Sequence, residues 1–182
     1  MERILIIGNA GSGKTTFAKA LAKTTELPLV HLDQIFWCGN WEHLSREEFD
    51  AILQEELIKS EWIIDGNFSR TLPHRLKYCD TVFYFDLPTI TCLWSSTIRV
   101  IKNYGKTRKD MGGNCPEYFD KNKCELYRAI LSFNKKHRKK YRKLLAEQTD
   151  KTIVIFKTRK QAYQYLSKCK QTKEGETCAT EI

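Results

Sequence analysis

Long apolar runs are missing: nothing in the chain approaches the ~20 residues needed to cross a bilayer, which excludes a membrane-spanning role. The seven cysteines (Cys38, Cys79, Cys92, Cys115, Cys124, Cys169 and Cys178) are odd in number and include no Cys-x-x-Cys pair. That excludes a zinc ribbon or a disulfide framework and predicts reduced thiols, some of them, such as Cys92, serving as small core residues. The histidines His31, His43, His74 and His137 lack ligand spacing, so no metal site is expected on them. Internal repeats, low-complexity tracts and any helix-turn-helix or base-reading ribbon are also absent. Acidic residues are the minority, 22 against 31 Lys and Arg, for a net charge of +9. A secretory leader would have to coincide with the glycine-rich turn described next, so a cytoplasmic chain is expected. With 182 residues, 41% of them hydrophobic, one well-packed domain fits and two ordinary ones do not.

What the chain does have is a complete phosphate loop. Residues Gly8, Asn9, Ala10, Gly11, Ser12, Gly13, Lys14 and Thr15 satisfy G-x-x-x-x-G-K-[ST], and Thr16 continues into a helix. The setting matches the letters. Ile4-Leu5-Ile6-Ile7 reads as a buried parallel strand, and Lys14 to Lys23 as a helix with Phe17, Ala18, Leu21 and Ala22 on one face. Glycines let the turn point bare N–H groups at an anion, and the helix N-terminus adds its positive dipole end. Lys14 supplies a cation for the β- and γ-phosphates, and the Thr15 hydroxyl can ligate Mg²⁺. A nucleoside triphosphate, ATP with Mg²⁺, is the expected ligand.

Five strand candidates, Arg3–Ile7, Pro28–Leu32, Glu61–Ile64, Thr81–Phe85 and Thr152–Phe156, alternate with helical patterns. This is the rhythm of an α/β fold, a parallel sheet covered on both faces. Ser45-Arg46-Glu47-Glu48 is a capping box, followed by the stripe Phe49, Ile52, Leu53 and Leu57. After Pro88-Thr89, residues Ile90, Leu93, Trp94, Thr97, Ile98 and Ile101 form one apolar side of a third helix. Between Lys102 and Lys123 the periodicity vanishes into a mobile basic loop, a candidate lid. The domain is expected to span 1–169, with a pattern-free, disordered tail over 170–182.

Ligands of an open parallel sheet bind outside the carboxyl ends of its strands. Asp65 closes the third strand candidate and is the first choice for holding Mg²⁺ through water. Asp33 closes the second, either as a further metal contact or as the base for an acceptor hydroxyl. For each, a helix cap or an Asx-turn is the structural alternative. Asp86, two residues before Pro88, is read as a turn residue. Arg70, Arg99 and Arg108 are the guanidinium candidates for phosphate. Gly66 and Arg70 would face the acceptor, and Trp37 and Trp41 either line its pocket or fill core beneath a loop. The adenine is expected near Thr158 and Arg159. The run Lys135–Lys143 either wets the outer face of a helix, whose apolar stripe is Leu126, Ile130, Phe133, His137, Tyr141 and Leu144, or contacts nucleic acid.

The order of these motifs resembles the bacterial DNA topology modulation proteins, relatives of adenylate kinase and shikimate kinase. The resemblance is carried by Gly8–Thr15, His31-Leu32-Asp33 with Trp37 and Trp41, Trp62-Ile63-Ile64-Asp65-Gly66-Asn67 with Ser69-Arg70-Thr71, and Gly105-Lys106-Thr107-Arg108-Lys109-Asp110-Met111. It runs from about Arg3 to about Leu166. It implies a three-layer sheet in the order 2-3-1-4-5, a short basic lid, and ATP·Mg²⁺ as phosphoryl donor. Asp65-Gly66 resembles the Asp-Gly of adenylate kinase's Asp-Gly-Phe-Pro-Arg motif, although Arg70 falls one residue later and Ser69 stands for the proline. Asp33 resembles the acid after strand two of shikimate kinase. Arg99 matches a lid-helix arginine, and Ser95 stands where relatives often carry another. The expected activity is ATP-dependent phosphorylation of a small molecule. The alternative is an ATP-binding regulator of nucleic acid without turnover.

Overall fold

The computed structural model describes residues 1–178. The first strand, β1 (Arg3–Gly8), is buried from Ile4 to Gly8 and lies at the centre of the sheet. It pairs in parallel with β5 (Trp62–Asp65) and β6 (Thr81–Phe85), in the registers Ile6↔Asp65 and Gly8↔Phe85. Beyond these lie β2 (Leu29–His31) and β7 (Thr152–Phe156). The observed order is β2-β5-β1-β6-β7. Counting only these strands along the chain, that is 2-3-1-4-5, the expected arrangement.

A strand's side chains alternate between faces, so β1 feeds two cores. Leu5 and Ile7 join Trp62, Ile64, Val82 and Tyr84 under α3 (Arg46–Leu57), α4 (Leu72–Leu76) and α7 (Lys139–Ala146). Ile4 and Ile6 join Phe83, Phe85 and Phe156 under α1 (Lys14–Thr25) and α8 (Arg159–Cys178). Phe17 of α1 meets the last three rings edge-on at 5.0–5.4 Å. Burying one such side chain stabilises by about 1.5–3 kcal/mol. The sheet is thereby held rigid beneath its carboxyl edge.

Several local expectations shift. The capping box at Ser45 is present, and Phe49, Leu53 and Leu57 are buried, but Ile52 is exposed. In α5 (Thr89–Lys102) half of the expected apolar side faces outward: Ile90, Trp94 and Ile101 are 71%, 67% and 61% exposed, while Leu93, Thr97 and Ile98 are half-buried. The buried side is Cys92, Ser96 and Val100, because α5 runs so close to the phosphate loop that only small residues fit there. Strand β2 stops at His31, since Leu32 opens the short helix α2 (Leu32–Phe36). The aromatic segment after it forms an unanticipated hairpin, β3 (Trp37–Gly39) with β4 (Glu42–His43). Asn40 and Trp41 turn it at φ of 48° and 60°, as a tight hairpin requires.

The long basic helix is α6 (Lys121–Phe133), a π-helical turn over Asn134–Arg138, and α7. The wide turn moves the buried stripe by one residue, so that Leu145 is buried and Leu144 only partly so. Helix α8 is assigned through Cys178, past Lys170 where the sequence pattern ends, and residues 179–182 lie outside the described residues. Among the described residues no helix is long and apolar enough to cross a membrane.

Candidate active site

The turn from β1 into α1 closes tightly, with Ser12 N–H donating to Asn9 O at 3.3 Å and Asn9 Nδ2 tied to Ile130 O at 3.0 Å. Gly11, at φ 74°, has no room for a side chain: a Cβ there would lie 2.2 Å from Cys92 O. Any other residue would push α5 off the loop. Gly8, Asn9, Ala10, Gly11, Ser12 and Gly13 are all where the motif requires them, between β1 and the first turn of α1.

Lys14 is buried, and its Nζ donates to Asn9 O at 2.9 Å. Burial pushes its pKa down, while Asp65 and Asp33 pull it back up. A triphosphate would supply the missing counter-charge. The Thr15 hydroxyl donates to Asp65 Oδ2 at 2.7 Å, and His31 Nδ1 lies 3.1 Å from the same oxygen. Oδ1 of Asp65 is buried and has no hydrogen-bond partner. A buried carboxylate with one oxygen held and one unengaged fits a hydrated Mg²⁺ beside Thr15. Thr15 and Asp65 are therefore the residues that would hold the ion.

Above this edge opens a cleft of about 1320 Å³ that Lys14, Thr15, Thr16, Asp33, Asp65 and Gly66 line on the sheet side. Trp37, Trp41, Arg99, Arg108 and Arg159 line it from other segments. The Asp33 carboxyl is pushed above its ordinary value of 3.8, first by burial and next by Asp65, against Arg108 and Lys14. Two carboxylates and the phosphate-loop lysine therefore share one electrostatic environment.

The segment 103–120 lies down on α2 and the aromatic hairpin. Gln34 Nε2 donates to Lys109 O at 2.7 Å, Gly112 N–H to Asp33 O at 3.3 Å, and Asn40 N–H to Asn114 O at 2.7 Å. Trp41 Nε1 donates to Pro116 O at 3.2 Å, and the Lys123 ammonium sits 5.1 Å over the Trp41 ring. Gly112 allows this approach, since a Cβ would come within 2.0 Å of Trp37 O. Trp37 and Trp41 meet edge-on at 5.3 Å and are half-buried on the cleft side.

Two expectations fail on position. Arg70 is outside the cleft: exposed, it makes two 2.7 Å hydrogen bonds to Asp50 of α3. The extra residue before it carries the side chain past the strand edge. Replacing Arg70 by alanine is accordingly expected to change phosphoryl-transfer rates by less than about twofold, as exposed ion pairs contribute little. A steady-state comparison with the parent chain checks this, and a tenfold loss would return Arg70 to the site. Thr158 is exposed and is absent from the cleft wall; its Oγ1 accepts the Gln161 N–H at 3.3 Å.

The structure adds contacts that the sequence pattern did not signal, at Arg75 and Glu117 and at the already named Arg159 and Asp86. Arg75 is fully buried and donates to the carbonyls of Gly66, Asn67 and Phe68 at 2.8–3.1 Å, fixing the loop after β5. Arg159 donates to Gly11 O at 2.6 Å, to Ser12 O at 3.2 Å and to Ser95 Oγ at 2.6 Å, so it braces the phosphate loop from behind. Asp86 is buried against Arg138, 2.7 Å away, and Arg142. It is a structural anchor for the basic helix, and both arginines of the run Lys135–Lys143 are engaged by it. Glu117, in the segment 103–120, contacts Arg99, Arg108 and Lys123. For Arg159 and Asp86 a spacing argument could not find the partners, which lie 52 to 148 residues away along the chain.

With this geometry in view, comparison with known proteins gives three results. Residues 4–64 match the family described as "ATPase family associated with various cellular activities (AAA)". No curated protein sequence matches the chain. Among solved structures, shikimate kinase from Bacteroides thetaiotaomicron is similar at TM-score 0.58 and 17% identity, over 95% of this chain and 98% of that one. Shikimate kinase from Acinetobacter baumannii in complex with shikimate gives 0.56 and 16%, over 91% of each chain. A gluconokinase from Sinorhizobium meliloti 1021 gives 0.51 and 13%, over 96% and 97%. At these identities the likeness is one of fold: the chain has the α/β fold, with a five-stranded parallel sheet, of the P-loop kinases.

Proposed function

We propose that the chain is a P-loop kinase that transfers the γ-phosphoryl group of ATP to a hydroxyl of a small-molecule acceptor. The observation that carries this reading is the Thr15–Asp65 contact of 2.7 Å next to buried Lys14, with Asp33 across the same cleft. In the reaction the acceptor oxygen attacks the γ-phosphorus, the bond to the β,γ-bridging oxygen breaks, ADP leaves, and the hydroxyl proton passes to the Asp33 carboxylate. A raised pKa suits Asp33 to receive that proton. Lys14, Arg99 and Arg108 face the charge that develops on the moving group. Bound Mg²⁺ would neutralise β- and γ-oxygens, held by Thr15 and Asp65. The adenine is assigned to the wall beside Gly13 made by Arg159 and Tyr163.

On the acceptor side the walls are Asp33, Trp37, Trp41, Phe68 and Met111. With Arg70 turned outward to Asp50, it does not offer its guanidinium to an acceptor phosphate beside β5, which argues against an adenylate kinase. The motifs around Asp65 and Arg108 support the finer placement among the DNA topology modulation proteins. The test is ATP consumption with Mg²⁺ across a panel of sugars, hydroxy acids, nucleosides and nucleoside monophosphates. Acceptor-dependent ADP release with a non-phosphorylated hydroxyl compound is the expected result. ATP binding with no acceptor-dependent turnover would replace the kinase by a nucleotide-binding regulator.

A further inference from the structure

The chemistry above leaves the buried acid Glu117 without a role. Glu117 is 1% exposed and sits in the lid, where Gly105 N–H donates to its carbonyl at 2.9 Å and its own N–H donates to Lys106 O at 3.1 Å. Its carboxylate lies 3.0 Å from Arg108 Nε and 3.7 Å from Arg99 Nε, and in direct contact with Lys123 Nζ. The last turn of α5, the lid loop and the first turn of α6 thus each send a cation to one carboxylate. A buried charge is costly unless paired, so this acid cannot be incidental filler.

The three cations are not held alike. Arg108 is fixed a second and third time, by Nη1 to Asp110 Oδ2 at 2.6 Å and by Nη2 to Met111 Sδ at 2.9 Å. Lys123 is buried and is turned toward Glu117 and the Trp41 ring. Among the described residues Arg99 has, besides its ion pair, a 3.4 Å hydrogen bond to Ser96 Oγ. Its Nε, with Arg108 Nε and Glu117 Oε1, is buried without well-formed hydrogen-bond geometry. Glu117 and Asp110 together bring two negative charges to three positive ones, so the cluster keeps a cationic excess facing the cleft. Arg99 is close enough to Lys14 to act on its charge, and Asp33 acts on Arg99 in turn.

A guanidinium accelerates a reaction only when its direction is set before the charge develops. We propose that Glu117 is a positioning residue: its carboxylate pairs electrostatically with the Nε atoms of Arg99 and Arg108, 3.7 and 3.0 Å away, and so sets the direction of Arg99 toward the phosphoryl group in flight. This rests on the kinase reading and adds the residue that makes the lid arginines competent. Glu117 itself is engaged by the three cations and is assigned no contact with nucleotide or acceptor.

The test needs no knowledge of the acceptor. ADP·Mg²⁺ is titrated into the full chain by calorimetry with and without aluminium fluoride, which mimics the phosphoryl group in flight. In the parent chain fluoride is expected to tighten ADP by about 10²-fold, the low end for transition-state mimics. In Glu117→Gln the ADP affinity should stay within about twofold, while the fluoride effect drops below about tenfold. A merely structural role would weaken both titrations together or neither. Equal tightening in Glu117→Gln and the parent would overturn the positioning role and leave the kinase reading intact. Absence of any fluoride effect in the parent would remove the kinase reading, and this proposal with it. Should Glu117→Gln fail to melt cooperatively, Glu117→Asp replaces it, keeping the charge but withdrawing it from Arg99, with the same two readings.

Discussion

Lys14→Ala is expected to lower ATP-dependent phosphorylation by about 10²–10³-fold or more, the effect of removing one donor aimed at developing charge. The fold should survive. Lys14 is a buried cation whose charge is disfavoured by desolvation, so its removal relieves that term. Against this, Asn9 O loses its 2.9 Å hydrogen bond, a cost of about 1 kcal/mol. The net change in stability is therefore small, and a thermal melt beside a coupled ATP assay reads both quantities. Unchanged turnover in the variant would defeat the kinase assignment. Collapse of the melt would mean that the lysine is chiefly structural.

The second large effect is expected at Asp33, where activity and stability should move in opposite directions. Asp33→Asn removes the proposed proton acceptor, and turnover should fall by about 10²–10⁴-fold. The same change should stabilise the chain at neutral pH. The folded carboxyl titrates above its ordinary value of 3.8 because burial and Asp65 disfavour its charge. Between that value and the raised one, the native state holds a proton that the unfolded chain has released, so stability falls as pH rises through this window. Asparagine has no such loss. The variant should thus melt higher than the parent at pH 7, and the two curves should converge below pH 3.8, where both side chains are neutral. A variant that melts lower at pH 7 would show instead that the Asp33 carboxylate holds its neighbours in place.

The contrast between Arg70 and Arg75 explains how far sequence reading reaches. Both follow the strand end at Asp65, and spacing favours Arg70, which lies nearer. In the structure Arg70 is drawn outward by Asp50, a residue of α3, whereas Arg75 turns inward to three carbonyls of the loop. Which cation meets which anion is set by helices packed from elsewhere, and no local pattern encodes it. Helix α5 makes the same point. Its apolar periodicity is clear in the sequence, yet Ile90, Trp94 and Ile101 of that side are exposed, because the crossing point with the phosphate loop at Gly11 and Cys92 admits only small groups.

The sequence alone determined the glycine turn and its lysine, the alternation of strands and helices, and the placement of Asp33 and Asp65 at one edge. These follow from local chemistry: motif spacing, side-chain period, and the parallel topology that gathers all strand ends on the same side. Only the tertiary structure decided that Arg159 braces the loop, that Asp86 takes up both arginines of the basic run, and that Glu117 gathers the lid cations. The chain offers 31 basic side chains and 22 acidic ones. Desolvation lets a buried acid persist only where packing brings cations to it, and that selection exists only once the chain is folded.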